Sequence, residues 1–103
     1  MRLVQPTDFN ILSQLTDGHR DNAINLAVHL EQNRAYINTR LPVLADYGLL
    51  DRVGPAPKSG LYMITDRGRA AVACRDQYNT TDNFDAVIDA YQSDTDATGA
   101  ESS

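Results

Sequence analysis

Arg34, Tyr36, Asn38, Thr39 and Arg40 crowd into a short stretch whose remaining residues, Ile37, Leu41, Leu44 and Ala45, fall at helical spacing. On a helix, the apolar set would face inward and the polar set outward. Guanidinium forks, a carboxamide and a hydroxyl are the groups that reach phosphates and base edges in a major groove. Arg34 and Arg40 each match a phosphate or a guanine with two parallel donors, against the plainer reading of two solvated charges. Asn38 and Thr39 either meet base edges or supply ordinary helix-surface polarity. Tyr36 either stacks on a sugar-phosphate backbone or fills a gap against the preceding helix. Lys58, in a separate loop, is either a phosphate or minor-groove contact or a solubilising charge. Arg52 has two carboxylates, Asp51 and Asp66, open to it as partners.

Other chemistry is thinly supplied. His19 and His29 lie ten apart and Cys74 is far along the chain, so no metal-ligand spacing appears. No glycine-rich phosphate loop, nucleophile elbow or paired-carboxylate site is visible. Cys74 is expected as a small buried helix residue rather than a redox switch. The expectation is a protein without metal or cofactor and without enzymatic activity.

The elements that must position the donors follow from periodicity and punctuation. Residues 1–6 form an arm ending in Pro6, and Thr7 or Asp8 can cap a first helix to about Asp17. Phe9, Leu12 and Leu15 line one face of it with Ile11 beside them, and Gly18 closes it. His19 to Asn22 is a polar turn with Asp21 or Asn22 as the next cap. A second helix follows, from about Ala23 to Gln32. Its expected buried face is Ile24, Ala27, Val28 and Leu30, with His29, Glu31 and Gln32 outward. Asn33 caps the third helix after a turn of a few residues, the spacing of a helix-turn-helix. Pro42 removes an amide from that helix. The stripe nevertheless continues to Leu44 and Ala45, so the helix should pass through a bend and stop at Gly48.

After Gly48 the period changes to alternation. Residues 49–53 and 61–64 read as paired strands around a loop stiffened by Pro55 and Pro57. A hairpin with a basic tip directly after such a helix has the form of a wing. Thr65 to Arg69 opens a fourth helix, to about Arg75 or Tyr78, and 79–82 is a linker. Phe84, Val87, Ile88 and Tyr91 then recur at i, i+3, i+4 and i+7 on a short helix. That stripe either folds back on its own domain or pairs with a second copy; dimerisation is the expectation. The fold class is therefore α+β, mainly α: a winged helix-turn-helix with a three-helix core, a two-stranded β-wing and one or two C-terminal helices. Residues 7–78 form the domain, 82–92 an amphipathic helix and 93–103 a disordered acidic tail.

Composition sets bounds on this reading. With 103 residues and 42% of them hydrophobic, one small core is available. Net charge is −5, which at first argues against a nucleic-acid partner. Its distribution matters more. Residues 1–79 hold nine Lys and Arg against eight Asp and Glu, net +1, whereas 80–103 hold six acids and no base, net −6. Arginine outnumbers lysine eight to one, and a lysine-poor, aspartate-rich chain suits a cytoplasm of very high salt. No apolar run is long enough to span a bilayer, the first residues lack a secretory core, and a single cysteine suits a reducing compartment. A cytoplasmic domain without a membrane partner is expected.

The runs Leu41-Pro42-Val43-Leu44-Ala45-Asp46-Tyr47-Gly48-Leu49-Leu50-Asp51-Arg52-Val53-Gly54-Pro55 and Ser59-Gly60-Leu61-Tyr62-Met63-Ile64-Thr65-Asp66-Arg67-Gly68-Arg69-Ala70-Ala71 carry a resemblance. The chain resembles small haloarchaeal winged-helix regulators related to a halophage repressor. It is more distantly similar to arsenic-sensor-type and multiple-antibiotic-resistance-type repressors. The resemblance covers about residues 7–75 and implies sequence-specific binding of double-stranded DNA and transcriptional control, commonly as a homodimer. By position it places Arg34, Tyr36, Asn38, Thr39 and Arg40 on the recognition helix and Lys58 at the wing tip. The clustered cysteines and histidines of metal-sensing relatives are absent.

Two rival functions stay open at this point. One is a winged helix used for protein contact, with the apolar C-terminal stripe as its working face. The other is a small-molecule sensor, which needs a cavity. A two-fold dimer on DNA would require half-sites about one helical turn apart.

Overall fold

Four short polar side chains start four of the helices. Asn22 accepts the Asn25 amide at the head of α2 (Ala23–Leu30), and Asn33 accepts those of Ala35 and Tyr36 at the head of α3 (Arg34–Asp46). Thr65 accepts the Gly68 amide at the head of α4 (Asp66–Ala73), and Asn83 accepts that of Ala86 at the head of α5 (Phe84–Ser102). Each such cap satisfies a donor that the helix itself leaves orphaned and contributes about 1 kcal/mol. The computed structural model describes residues 1–53 and 60–102, with side chains through Asp94. Lys58 lies outside the described residues.

The first helix, α1 (Thr7–Gln14), departs from the capping expectation. Neither Thr7 nor Asp8 caps it; Pro6 stands at the cap without a side-chain bond, and Asp8 turns into the interior. The helix ends three residues early, and Gly18 closes the following turn at φ +88°. Phe9, Ile11, Leu12 and Leu15 are completely buried, as their spacing requires.

α2 and α3 are joined by a tight turn. The amides of Glu31 and Gln32 close back on the carbonyls of Val28 and Ala27, with Glu31 at φ +53° in the place usually taken by glycine. The same closure recurs at the end of α3, where Gly48 (φ +80°) and Leu49 donate to Ala45 and Leu44. α3 runs through Pro42 without interruption, and Ile37, Leu41 and Leu44 anchor it in the core.

On α2 the buried face is Ala23, Leu26 and Ala27. Ile24 and Val28, expected inside, are 50% and 72% exposed. Only Asn25 and His29 interrupt the apolar arc of α2, so that arc is wider than the face the domain covers, and Ile24 and Val28 fall on its uncovered flank. The two small alanines let the helices approach.

β1 (Leu50–Val53) and β2 (Leu61–Ile64) pair antiparallel, with Leu50 opposite Ile64 and Arg52 opposite Tyr62. Asp21, expected in a plain turn, instead bridges the far edge of β2. Its amide donates to the Tyr62 carbonyl at 2.9 Å and its carbonyl accepts the Tyr62 amide at 2.8 Å. The hairpin is thereby tied to the segment leading into α2.

Beyond α4 the chain continues as a 3-10 helix, Arg75–Thr80, where a fourth-helix extension and a linker were expected. Phe9, Tyr78 and Phe84 pack edge-to-face with ring centroids 5.0–6.1 Å apart. This triad sends Phe84 (3% exposed) and, one turn on, Ile88 (0%) into the domain's own core. α5 is further tied down by Arg67, which donates to Asp89 at 2.6 Å, Asp85 at 3.1 Å and Gln92 at 3.3 Å. The Met1 ammonium donates to Asp85 at 2.8 Å and, with Arg67, holds that carboxyl below the ordinary aspartate range. α5 also continues to Ser102, past the Gln92 limit and through the tail expected to be disordered. Once a helix is nucleated, each added residue gains a bond without a new nucleation cost. No helix among the described residues is long and apolar enough to cross a membrane.

Candidate nucleic-acid interface

With Ile37, Leu41 and Leu44 committed to the core, the opposite side of α3 is left to solvent. Arg34, Tyr36, Asn38 and Thr39 are all exposed on it. Arg34 makes no ion pair or hydrogen bond among the described residues, so its five donors are available. The Thr39 hydroxyl donates to the Tyr36 carbonyl at 2.6 Å, which leaves it an acceptor toward anything that docks.

Arg40 does not belong to this face. Its Nε donates to Asp8 Oδ1 at 2.9 Å and its Nη2 to Asp8 Oδ2 at 2.7 Å, a two-pronged pair linking α3 to α1. The Asp8 side chain is fully buried and that of Arg40 is 16% exposed. The Asp8 hydrogen bonds, chiefly, hold the Arg40 guanidinium above its ordinary range. Asp8 also accepts the Val4 amide at 2.7 Å. Expected as a DNA contact, Arg40 is a structural clamp, because its bidentate geometry is satisfied by a carboxylate 32 residues upstream.

A shallow depression of about 200 Å³ lies where α2, α3 and the hairpin meet, lined by Asn22, Ala23, Ile24, Arg34, Asn38 and Gly60. It brings together two of the expected residues, Arg34 and Asn38, with two that sequence reasoning missed. Asn22 was visible only as a cap, and Ile24 looked like core. Their signal would have been a decision about which face of α2 packs inward. Arg52 is also exposed; its Nε donates to the Tyr62 hydroxyl at 3.2 Å, and its guanidinium stands 6.0 Å over the Tyr62 ring. Neither Asp51 nor Asp66 is its partner among the described contacts.

The architecture has a counterpart among solved proteins. It aligns with a MarR-family protein of Mycobacterium tuberculosis, determined in complex with salicylic acid, at a TM-score of 0.55 and 23% identity over 92% of this chain and 65% of that one. The fold is a winged helix-turn-helix. Neither a protein-family model nor a curated protein matches the sequence. The chain spans about 65% of that neighbour's length. In winged-helix terms, α2 and α3 are the helix-turn-helix, β1 and β2 the wing, and Asp21 a one-residue third strand.

The residues expected to dimerise divide in two. Phe84 and Ile88 are spent inside the winged helix itself and are not available to a second copy. Val87, half-buried, and Tyr91, 44% exposed, line an open groove of about 450 Å³ along α5. Cys74 reaches the same groove but is 2% exposed, and burial pushes its thiol up from the ordinary range.

His19 stands beside the bridging strand residue. Its Nδ1 pairs closely with Asp17 and its Nε2 lies 3.3 Å from Asp21 Oδ2. Those carboxylates, Asp17 first, hold the imidazolium above its ordinary range. A raised value in the folded state means that the pairing stabilises fully below the unfolded value of about 6.5 and is lost as pH rises through the folded value. His19→Gln is therefore expected to lower the urea midpoint at pH 5.5 and to match wild type by pH 9. An imidazole that titrates by NMR at or below the free-histidine value would contradict this.

Proposed function

We propose that the chain is a sequence-specific DNA-binding transcriptional regulator. It inserts the first turns of α3 into a major groove and lays the wing along the adjacent backbone, with Lys58 as a further candidate contact. One observation carries this reading: Arg34 and Asn38, exposed together beside the wing on a helix whose other side is locked in the core. Donors held on so rigid a support meet a groove with little reorganisation. Tyr36 and Thr39 complete the surface, and the protein acts as a homodimer through Val87, Tyr91 and the groove along α5. The excess of acid lies in residues 80–103, so the helix-turn-helix and wing approach DNA with the +1 of residues 1–79.

Duplexes selected from a random pool and measured by fluorescence anisotropy over a KCl series test this directly. Arg34→Ala is expected to weaken the selected site by about 1–3 kcal/mol if the arginine holds a base. If it holds a phosphate, binding weakens on all sequences and the salt slope falls by about 1. An unchanged affinity and slope would remove Arg34 from the interface. Failure of wild type to bind any duplex would leave the protein-contact reading, which the exposure of Ile24 and Val28 favours.

A further inference from the structure

Ile24 has no structural employment. It sits one residue inside α2, half exposed, while its neighbours Ala23, Leu26 and Ala27 carry the packing against the rest of the domain. Exposed aliphatic residues are common singly and need no explanation of their own. What distinguishes this one is its setting. It lines the depression it shares with Arg34 and Asn38 of α3 and Gly60 at the base of the wing. An aliphatic surface is thus placed beside a free guanidinium and a carboxamide on the side that the proposed function turns toward DNA.

The major-groove edge of a base pair offers one apolar feature, the C5 methyl of thymine. Among side-chain contacts, apolar groups match that methyl, carboxamides match adenine, and guanidinium matches guanine or phosphate. The depression holds one of each. Resting on the DNA-binding reading, we propose that Ile24 is a specificity residue that packs against a thymine methyl, with Asn38 and Arg34 holding the adjoining edges. The helix-turn-helix then discriminates sequence with both helices, α2 supplying the apolar contact and α3 the polar ones.

The experiment replaces each thymine of the selected half-site, one at a time, by deoxyuridine, which removes the methyl and leaves every hydrogen-bonding group. Wild type is expected to lose roughly four-fold in affinity at one position, the equivalent of one buried methyl-sized group. Ile24→Ala is expected to bind the thymine duplex about four-fold more weakly than wild type and to lose nothing further on the uracil duplex. Val28→Ala, which alters the other exposed aliphatic of α2 outside the depression, keeps the wild-type response. Thermal unfolding of Ile24→Ala close to wild type shows that the variant is folded, as its exposure requires. If wild type binds its selected site but no thymine is sensitive to its methyl, or if Ile24→Ala retains the sensitivity, the assignment of Ile24 is wrong while DNA binding stands. If wild type selects no duplex at all, both fall.

Discussion

Arg40→Leu is expected to lose about 3–5 kcal/mol of folding stability, because it strands a carboxylate that has no access to water. Asp8 is fully buried, and both its oxygens are held by the Arg40 fork at 2.7 and 2.9 Å. Among the described residues the polar contact that remains, from the Val4 amide, does not balance a full charge. Domains of this size are stable by about 5–15 kcal/mol, so the loss consumes a large share of the total. Adding Asp8→Asn to Arg40→Leu removes the charge while keeping an acceptor for Val4, and more than half of the loss should return. Arg40→Lys should recover less than the native fork does, since one ammonium cannot reproduce two parallel donors. Urea unfolding of the four proteins decides the matter. A loss below about 1 kcal/mol would place the pair in the exposed class and return Arg40 to the candidate contacts. On the proposed DNA-binding reading, affinity per folded molecule is expected to stay near that of wild type.

The second large effect reverses an ordinary rule. Glycine inside a helix usually costs about 0.5–1 kcal/mol relative to alanine, so Gly68→Ala in α4 would ordinarily stabilise. Here the added Cβ would stand 2.2 Å from the Leu49 carbonyl oxygen and 2.7 Å from Ile64 Cγ1. The carbonyl is backbone and is held in place by the Thr65 amide at 3.1 Å. Gly68 therefore sets how closely α4 lies on the start of the wing. Its replacement is expected to cost at least the 1–3 kcal/mol typical of overpacking. A neutral or raised melting temperature for Gly68→Ala would show that α4 can lift away at little cost.

What could be seen in the sequence was local. Asn22, Asn33 and Thr65 cap the helices they precede, Gly48 ends α3, and the hairpin lies at the change of period. Each of these depends on interactions spanning a few residues. Most of the misplaced features depend on contacts outside that local window. Nothing near Arg40 announces Asp8. The apolar arc of α2 is wider than the face that packs, so which of its members are covered depends on where the neighbouring elements lie. Phe84 and Ile88 form an ideal partner-seeking stripe until Phe9 and Tyr78 are seen to occupy it. The proposed interface keeps Arg34, Tyr36, Asn38, Thr39 and Lys58, gives up Arg40 to its pair with Asp8 and gains Ile24, so its membership changes while its size does not.

The bridge between Asp21 and Tyr62 bears on a different hazard. A two-stranded hairpin has two open edges, and an open edge is a template on which a second chain can add a strand and start aggregation. Asp21 sits on the β2 edge and occupies the Tyr62 backbone groups that such an intruder would need. The other edge belongs to β1, where Asp51 and Arg52 are both exposed and charged, the side chains that natural sheets use to discourage lateral pairing. Strand addition is hindered at Tyr62 by occupancy and opposed along β1 by charge.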